Sequence, residues 1–122
     1  MTMMTPTDDA LADGGRAGVE ASAALFRALA DPSRLVILSH LQLGPHRVVD
    51  LVEHLGLAQS TVSKHLACLR ECGLVQSRPR GRASVFSLVP DVRIREVLVA
   101  AEAVLAVTGE ASTHCATAGG EL

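Results

Sequence analysis

A single glycine between two short apolar stripes constrains this chain more than any other feature. In residues 47–72, "RVVDLVEHLGLAQSTVSKHLACLREC", Val48, Leu51, Val52 and Leu55 recur at helical spacing. After a break, Val62, Leu66 and Leu69 do so again. Gly56 stands where a left-handed residue ends the first helix, and Ser60 is the candidate cap of the second. Two short helices joined by so tight a turn form a helix-turn-helix.

The flanking segments extend that reading. Residues 1–15 are small, polar and end in glycines, which predicts disorder. From Arg16 onward Val19, Ala23, Phe26 and Ala30 recur at helical spacing, with Leu25 and Leu29 alongside. Asp31 and Pro32 suit the cap and first position of a second helix, whose apolar residues are Leu35, Ile37, Leu38 and Leu41 and which stops at Gly44-Pro45. Beyond the helix-turn-helix the period falls to two. "GLVQSRPRGRASVFSLV" predicts strands over 74–77 and 84–89, with "RPRG" as the hairpin tip. Asp91 then suits the cap of a last helix with the stripe Ile94, Val97, Leu98, Ala101, Val104 and Leu105. From residue 109 the stripe is lost. The expected fold is mainly α with a small β-hairpin, a winged helix-turn-helix over 16–108, followed by a flexible tail over 109–122. The only aromatic side chains apart from histidine are Phe26 and Phe86, so the core is aliphatic. Close-packed helices suit such a core, with a second subunit supplying further burial.

The net charge of −2 does not by itself suggest nucleic acid, but its distribution does. Residues 59–82 hold Lys64, Arg70, Arg78, Arg80 and Arg82 against Glu71 alone, a local +4 on a remainder of −6. A basic stripe on an acidic body is the electrostatic footprint of a nucleic-acid contact, although a solvated charged face has the same composition. Position separates the two. Ser60, Thr61, Ser63, Lys64 and His65 fall on the first turns of the second helix, outside its apolar stripe, and Gln59 immediately precedes them. Hydroxyls and amides there reach base edges, and lysine reaches phosphate. Arg78, Arg80 and Arg82 fall at the hairpin tip, where a wing lies along the DNA backbone or minor groove. Double-stranded DNA is therefore the expected partner.

Three cysteines remain to be explained. No uncharged run reaches transmembrane length, and the acidic N-terminus lacks the order of a signal peptide, which predicts a cytoplasmic protein with no membrane partner and with reduced thiols. Cys68 and Cys72 lie four apart, one helical turn, so both thiols can reach one ion. Packing as small hydrophobes and a redox pair are the competing readings. Four residues apart on an intact helix is poor disulfide geometry. Cys115 lies in a polar segment that packing does not account for, which favours ligation. Soft thiolates select Cd(II), Pb(II), Zn(II) or Cu(I). Three of them suit Pb(II), As(III), or Cd(II) with a further donor, whereas Zn(II) needs a fourth ligand, for which His114 is a candidate. An enzyme using Cys68 with His65 as base lacks an orienting acid and a substrate pocket, so no catalytic residue is assigned.

The motifs "LFRALADPSRLVIL", "LVEHLGLAQSTVSKHLACLRECGLV" and "RGRASVFSLV", in order and spanning over half the chain, resemble the ArsR/SmtB family of winged-helix metal-sensing repressors. The resemblance implies a homodimer joined through its first and last helices. It also implies that the metal-free dimer holds a palindromic operator and releases it on binding metal. One of the family's sites uses a Cys-Val-Cys-Asp-Leu motif, and here that stretch reads Arg47-Val48-Val49-Asp50-Leu51, without thiols. Another uses Asp-x-His and later histidines on the last helix, but here Asp91 is followed by Arg93 and no histidine lies between Arg93 and Gly109. The cadmium- and lead-sensing CmtR subgroup has Cys-x-x-x-Cys in the recognition helix and one cysteine in the tail. Cys68, Cys72 and Cys115 match it position by position, which implies Cd(II) or Pb(II) as effector with Zn(II) or As(III) as further candidates. The remaining alternative is a redox-responsive repressor without metal.

Overall fold

The computed structural model describes residues 14–109, in two units that divide after Pro90. The expectations for residues 1–13 and for the tail beyond 109, including those for His114 and Cys115, lie outside the described residues.

The first unit runs α1 (Gly14–Leu29), α2 (Pro32–Leu41), β1 (His46–Arg47), α3 (Val48–Leu55), α4 (Gln59–Glu71), β2 (Val75–Arg80) and β3 (Ala83–Leu88). Helix α2 is its hub, packing on α1, α3, α4 and β3. The start of α2 follows from its cap: the Asp31 carboxylate accepts from the backbone N–H groups of Ser33 at 2.8 Å and Arg34 at 3.2 Å, and Pro32 opens the helix. Ile37, Leu38, Leu51, Val62, Leu66, Leu69 and Val75 are fully buried and form the core. The two stripes read from the sequence therefore close on each other and on α2. Between them Gly56 has φ 67° and donates its N–H to the Val52 carbonyl at 2.9 Å, which ends α3 and turns the chain into α4.

The wing is longer than the alternation predicted. Strands β2 and β3 pair antiparallel from Val75 opposite Leu88 to Arg80 opposite Ala83, so Arg78 and Arg80 stand on a strand and the turn is Gly81-Arg82. Gly81, at φ 65°, supplies the left-handed residue of that turn. A third strand, β1, adds to the far side of β3, with His46 opposite Phe86 and Arg47 opposite Val85. Two residues carry no period, so this strand could not be read from the pattern.

Two local expectations are corrected. Ser60 is not the cap of α4: the helix begins one residue before it, after an extended Ala58 whose carbonyl accepts from the N–H groups of Thr61 and Val62. Asp91 does not cap the last helix either, because it sits at φ 69° in the preceding turn and Arg93 occupies the cap position. In α1 the stripe residues Val19, Ala23 and Phe26 are exposed, as is Ala30 just beyond the helix, while Ala28 and Leu29 are buried.

The second unit is described by α5 (Ile94–Thr108), preceded by a turn. Val99, Val104, Leu105 and Val107 on it are exposed. Among the described residues no helix is long and apolar enough to cross a membrane.

Candidate nucleic-acid interface and metal-ligand residues

Burial of Val62, Leu66 and Leu69 fixes which side of α4 faces out. With about 100° between successive residues, Gln59, Ser60, Thr61, Ser63 and Lys64 are directed away from the core, and all five are exposed. No side chain caps the helix, so its positive N-terminal end is presented together with Lys64. Arg78, Arg80 and Arg82 on the wing are exposed as well. Arg70, near the other end of α4, reaches back to the wing, with Nη1 3.3 Å from Ser77 Oγ.

His65 differs from its neighbours. It lies beside Leu66 on the inner edge of α4, is only 15% exposed, and meets α2 rather than solvent. Its Nδ1 is 3.4 Å from Arg34 Nη1 and its Nε2 is 3.9 Å from Asp31 Oδ1. Arg34 in turn donates to the carbonyls of Ala28, through Nε, and Arg27, at 3.3 Å. One guanidinium thus joins the end of α1, the start of α2 and the middle of α4. Burial pushes the Asp31 carboxyl up, but the backbone N–H groups of Arg34 and Ser33, with the nearby His65 and Arg34, outweigh it and hold the group below its ordinary range.

The thiol pair lies at the opposite end of α4 from the exposed residues Gln59 to Lys64. Cys68 is half-buried and Cys72 exposed, both as free thiols. Cys72 closes the helix, its N–H donating to the Cys68 carbonyl at 3.1 Å, so the two residues keep the one-turn offset. Burial, and then the adjacent Cys68 thiol, pushes the Cys72 thiol up. A metal binding there has to displace protons.

Tertiary packing also assembles a donor cluster that no spacing announced. His40 in the last turn of α2, His46 on β1 and His54 in the last turn of α3 each offer one ring nitrogen, and these atoms lie within 4.8 Å of one another. The His40 and His54 rings stack at 4.5 Å, and His46 meets both edge-on at about 6 Å. Burial, and then the imidazoles of His54 and His46, holds His40 below its ordinary value.

Residues 31–77 match the family model described as "Bacterial regulatory protein, arsR family". The chain is 39% identical over 98 residues to a "Probable mercury resistance operon repressor" of Streptomyces lividans, covering 80% of this chain and 77% of that protein. It is 45% identical over 87 residues to the "HTH-type transcriptional regulator CmtR" of Mycobacterium tuberculosis, covering 71% of this chain and 74% of the relative. Among solved structures it is similar to M. tuberculosis Rv0081, with a TM-score of 0.67 and 34% identity over 78% of this chain and 95% of that one. It is also similar to the homodimeric winged helix-turn-helix DNA-binding domain Mb0332 of Mycobacterium bovis, with a TM-score of 0.66 and 29% identity over 80% and 88%. With its winged helix-turn-helix and the exposed, basic face of α4 and the wing, the chain belongs to the ArsR family of bacterial transcriptional regulators, which are DNA-binding proteins and not enzymes.

Proposed function

We propose that this chain is a homodimeric, cytoplasmic repressor that holds double-stranded operator DNA when metal-free and lets go on capturing a soft metal ion. Gln59, Ser60, Thr61 and Ser63 read base edges, Lys64 contacts phosphate, and Arg78, Arg80 and Arg82 follow the backbone beside the recognition helix. His65 supports that surface from behind, through Arg34 and Asp31. Cys68, Cys72 and Cys115 take up the metal, with Cd(II) or Pb(II) as the effector that best fits three thiolates and Zn(II) or As(III) as further candidates. The CmtR-type placement of all three cysteines supports this choice, as do relatives whose names refer to mercury and arsenical resistance.

One observation carries the reading: the helix that exposes the basic reading residues at one end holds two thiols one turn apart at the other. A ligand from the tail, drawn to this end of α4, changes the setting of the same rigid element that enters the groove. Dimerisation is supported by exposed Val19 and Phe26 on α1 and by exposed Val99, Val104, Leu105 and Val107 on α5, since apolar residues at such density mark contact surfaces. Regulation requires metal to bind the free dimer more tightly than the DNA-bound dimer, by about 1–3 kcal/mol or more.

The test is a gel shift on the gene's own upstream DNA during titration with Cd(II), Pb(II), Zn(II), Hg(II) and arsenite, with thiolate-to-metal ultraviolet absorption read in parallel. Soft ions should release the DNA and raise the absorption, and Cys115→Ser should weaken both. Release by peroxide alone, reversed by reductant and indifferent to metal, would replace this reading with a redox-responsive repressor.

A further inference from the structure

We propose that His40, His46 and His54 form a second metal site, chemically distinct from the thiols, for a borderline divalent ion of the Zn(II), Co(II) or Ni(II) class. The site does not depend on the thiol reading, because its residues lie on α2, β1 and α3.

Three features of the cluster support it. The first is donor number and reach. A tetrahedral ion bound at about 2.0–2.1 Å holds its nitrogen ligands roughly 3.3 Å apart. The three donor atoms already lie within 4.8 Å of one another, a gap that side-chain rotation can close. The second is tautomer. His46 Nδ1 is 2.7 Å from the Gly44 carbonyl oxygen, which can only accept, so Nδ1 carries the proton and Nε2 is left with its lone pair. A backbone carbonyl orienting a ligating histidine in this way is the usual outer-sphere arrangement of zinc imidazoles. The third is donor chemistry. The cluster consists of three imidazoles with no carboxylate, and turning the exposed His54 ring out of its 15° stack on His40 lets both lone pairs converge on one ion. Imidazole donors of this kind select Zn, Cu, Ni and Co over Mg and Ca. Three ligands leave a fourth position for water.

An ion there would pin β1 to the last turns of α2 and α3. Because β1 pairs with β3 at Phe86 and Val85, the ion would also brace the base of the wing. Binding to the folded chain alone predicts a metal-dependent rise in thermal stability.

The experiment uses the full chain carrying Cys68→Ser, Cys72→Ser and Cys115→Ser, titrated with Co(II). We expect one equivalent to bind, with visible d–d bands, no sulfur charge-transfer band in the near ultraviolet, and displacement by Zn(II). Adding His54→Gln, at the exposed corner, should weaken binding roughly tenfold or more and abolish the Zn(II)-dependent rise in Tm. In the wild-type chain His54→Gln should remove one Zn(II) equivalent and leave Cd(II)-thiolate absorption intact, a readout that also serves if the triple variant folds poorly. Failure of the cysteine-free chain to bind Co(II) while folded, or binding undiminished by both His54→Gln and His40→Gln, would overturn the site. Either result would leave the thiol-based repressor reading standing.

Discussion

Arg34 Nη1 on α2 lies 3.4 Å from His65 Nδ1 on α4. A guanidinium can only donate, so Nδ1 accepts and the ring proton sits on Nε2, facing Asp31 Oδ1 at 3.9 Å. The orientation of the recognition helix therefore rests on a polar contact behind it as well as on the apolar stripe beneath it. His65→Ala should lower operator affinity while leaving the slope of log affinity against log salt unchanged, because no phosphate contact is lost. Lys64→Ala should lower that slope by about one for each phosphate contact removed. A slope change in His65→Ala would put His65 on the DNA backbone.

Asp31 gives the chain a pH dependence. Its folded carboxyl titrates below the ordinary value of 3.8, so it stabilises the fold fully above that value and loses the contribution as pH falls through the folded value. Asp31→Ala removes the cap of α2 and should cost about 1 kcal/mol at pH 7. Urea unfolding from pH 7 to pH 3 should show the gap between wild type and variant narrowing only below about pH 4.

Gly56 tests the turn of the helix-turn-helix. Its φ of 67° is unfavourable for a residue with a Cβ, and nothing lies within 4 Å of where that atom would be. Gly56→Ala should thus destabilise by about 1–2 kcal/mol through backbone strain alone, with no steric clash to relieve. Thermal melts should show a lower Tm, and DNA binding should persist well below it.

Leu66 separates scaffold from interface. It is 1% exposed under the recognition helix, so Leu66→Ala should cost roughly 2–5 kcal/mol. Exposed Ser63→Ala on the same helix should change stability by less than about 0.5 kcal/mol. Chemical denaturation of both variants, beside gel shifts, should show stability lost in the first and operator affinity lost without unfolding in the second.

Phe26 is 59% exposed on α1, beside exposed Val19 one to two turns earlier. Phe26→Asp should convert a dimer to monomer in sedimentation or light scattering while leaving the far-ultraviolet circular dichroism unchanged. A monomeric wild-type protein at tens of micromolar would remove the basis for this expectation.

Legibility followed the range of the interaction. The stripes Val48–Leu55 and Val62–Leu69, the Asp31 cap and the Gly56 turn all lie within a few residues of chain, and each stands in the structure as its pattern implied. The exposed polar face of α4 was legible for the same reason, since a buried stripe determines the opposite side of a helix. Ser60 and Asp91 failed as caps because the chain enters these helices at Ala58 and Arg93, and neither start is capped by a side chain, so the cap-forming residue types nearby were no guide. In α1, apolar spacing marked a helix but could not say which of two adjacent faces would be buried.

By itself the amino-acid order determined a winged helix-turn-helix, an exposed basic face on α4 and the wing, and two thiols one helical turn apart, because helical and strand periods and turn chemistry are local properties of the chain. Only the tertiary structure decided that His65 turns inward to Arg34, that β1 joins the wing, and that His40, His46 and His54 converge. Those histidines are six and eight residues apart on three elements, and no period links them. Their meeting depends on how α2, α3 and β3 pack around a shared apolar core, which brings distant segments to within a few ångströms for reasons unrelated to the histidines themselves.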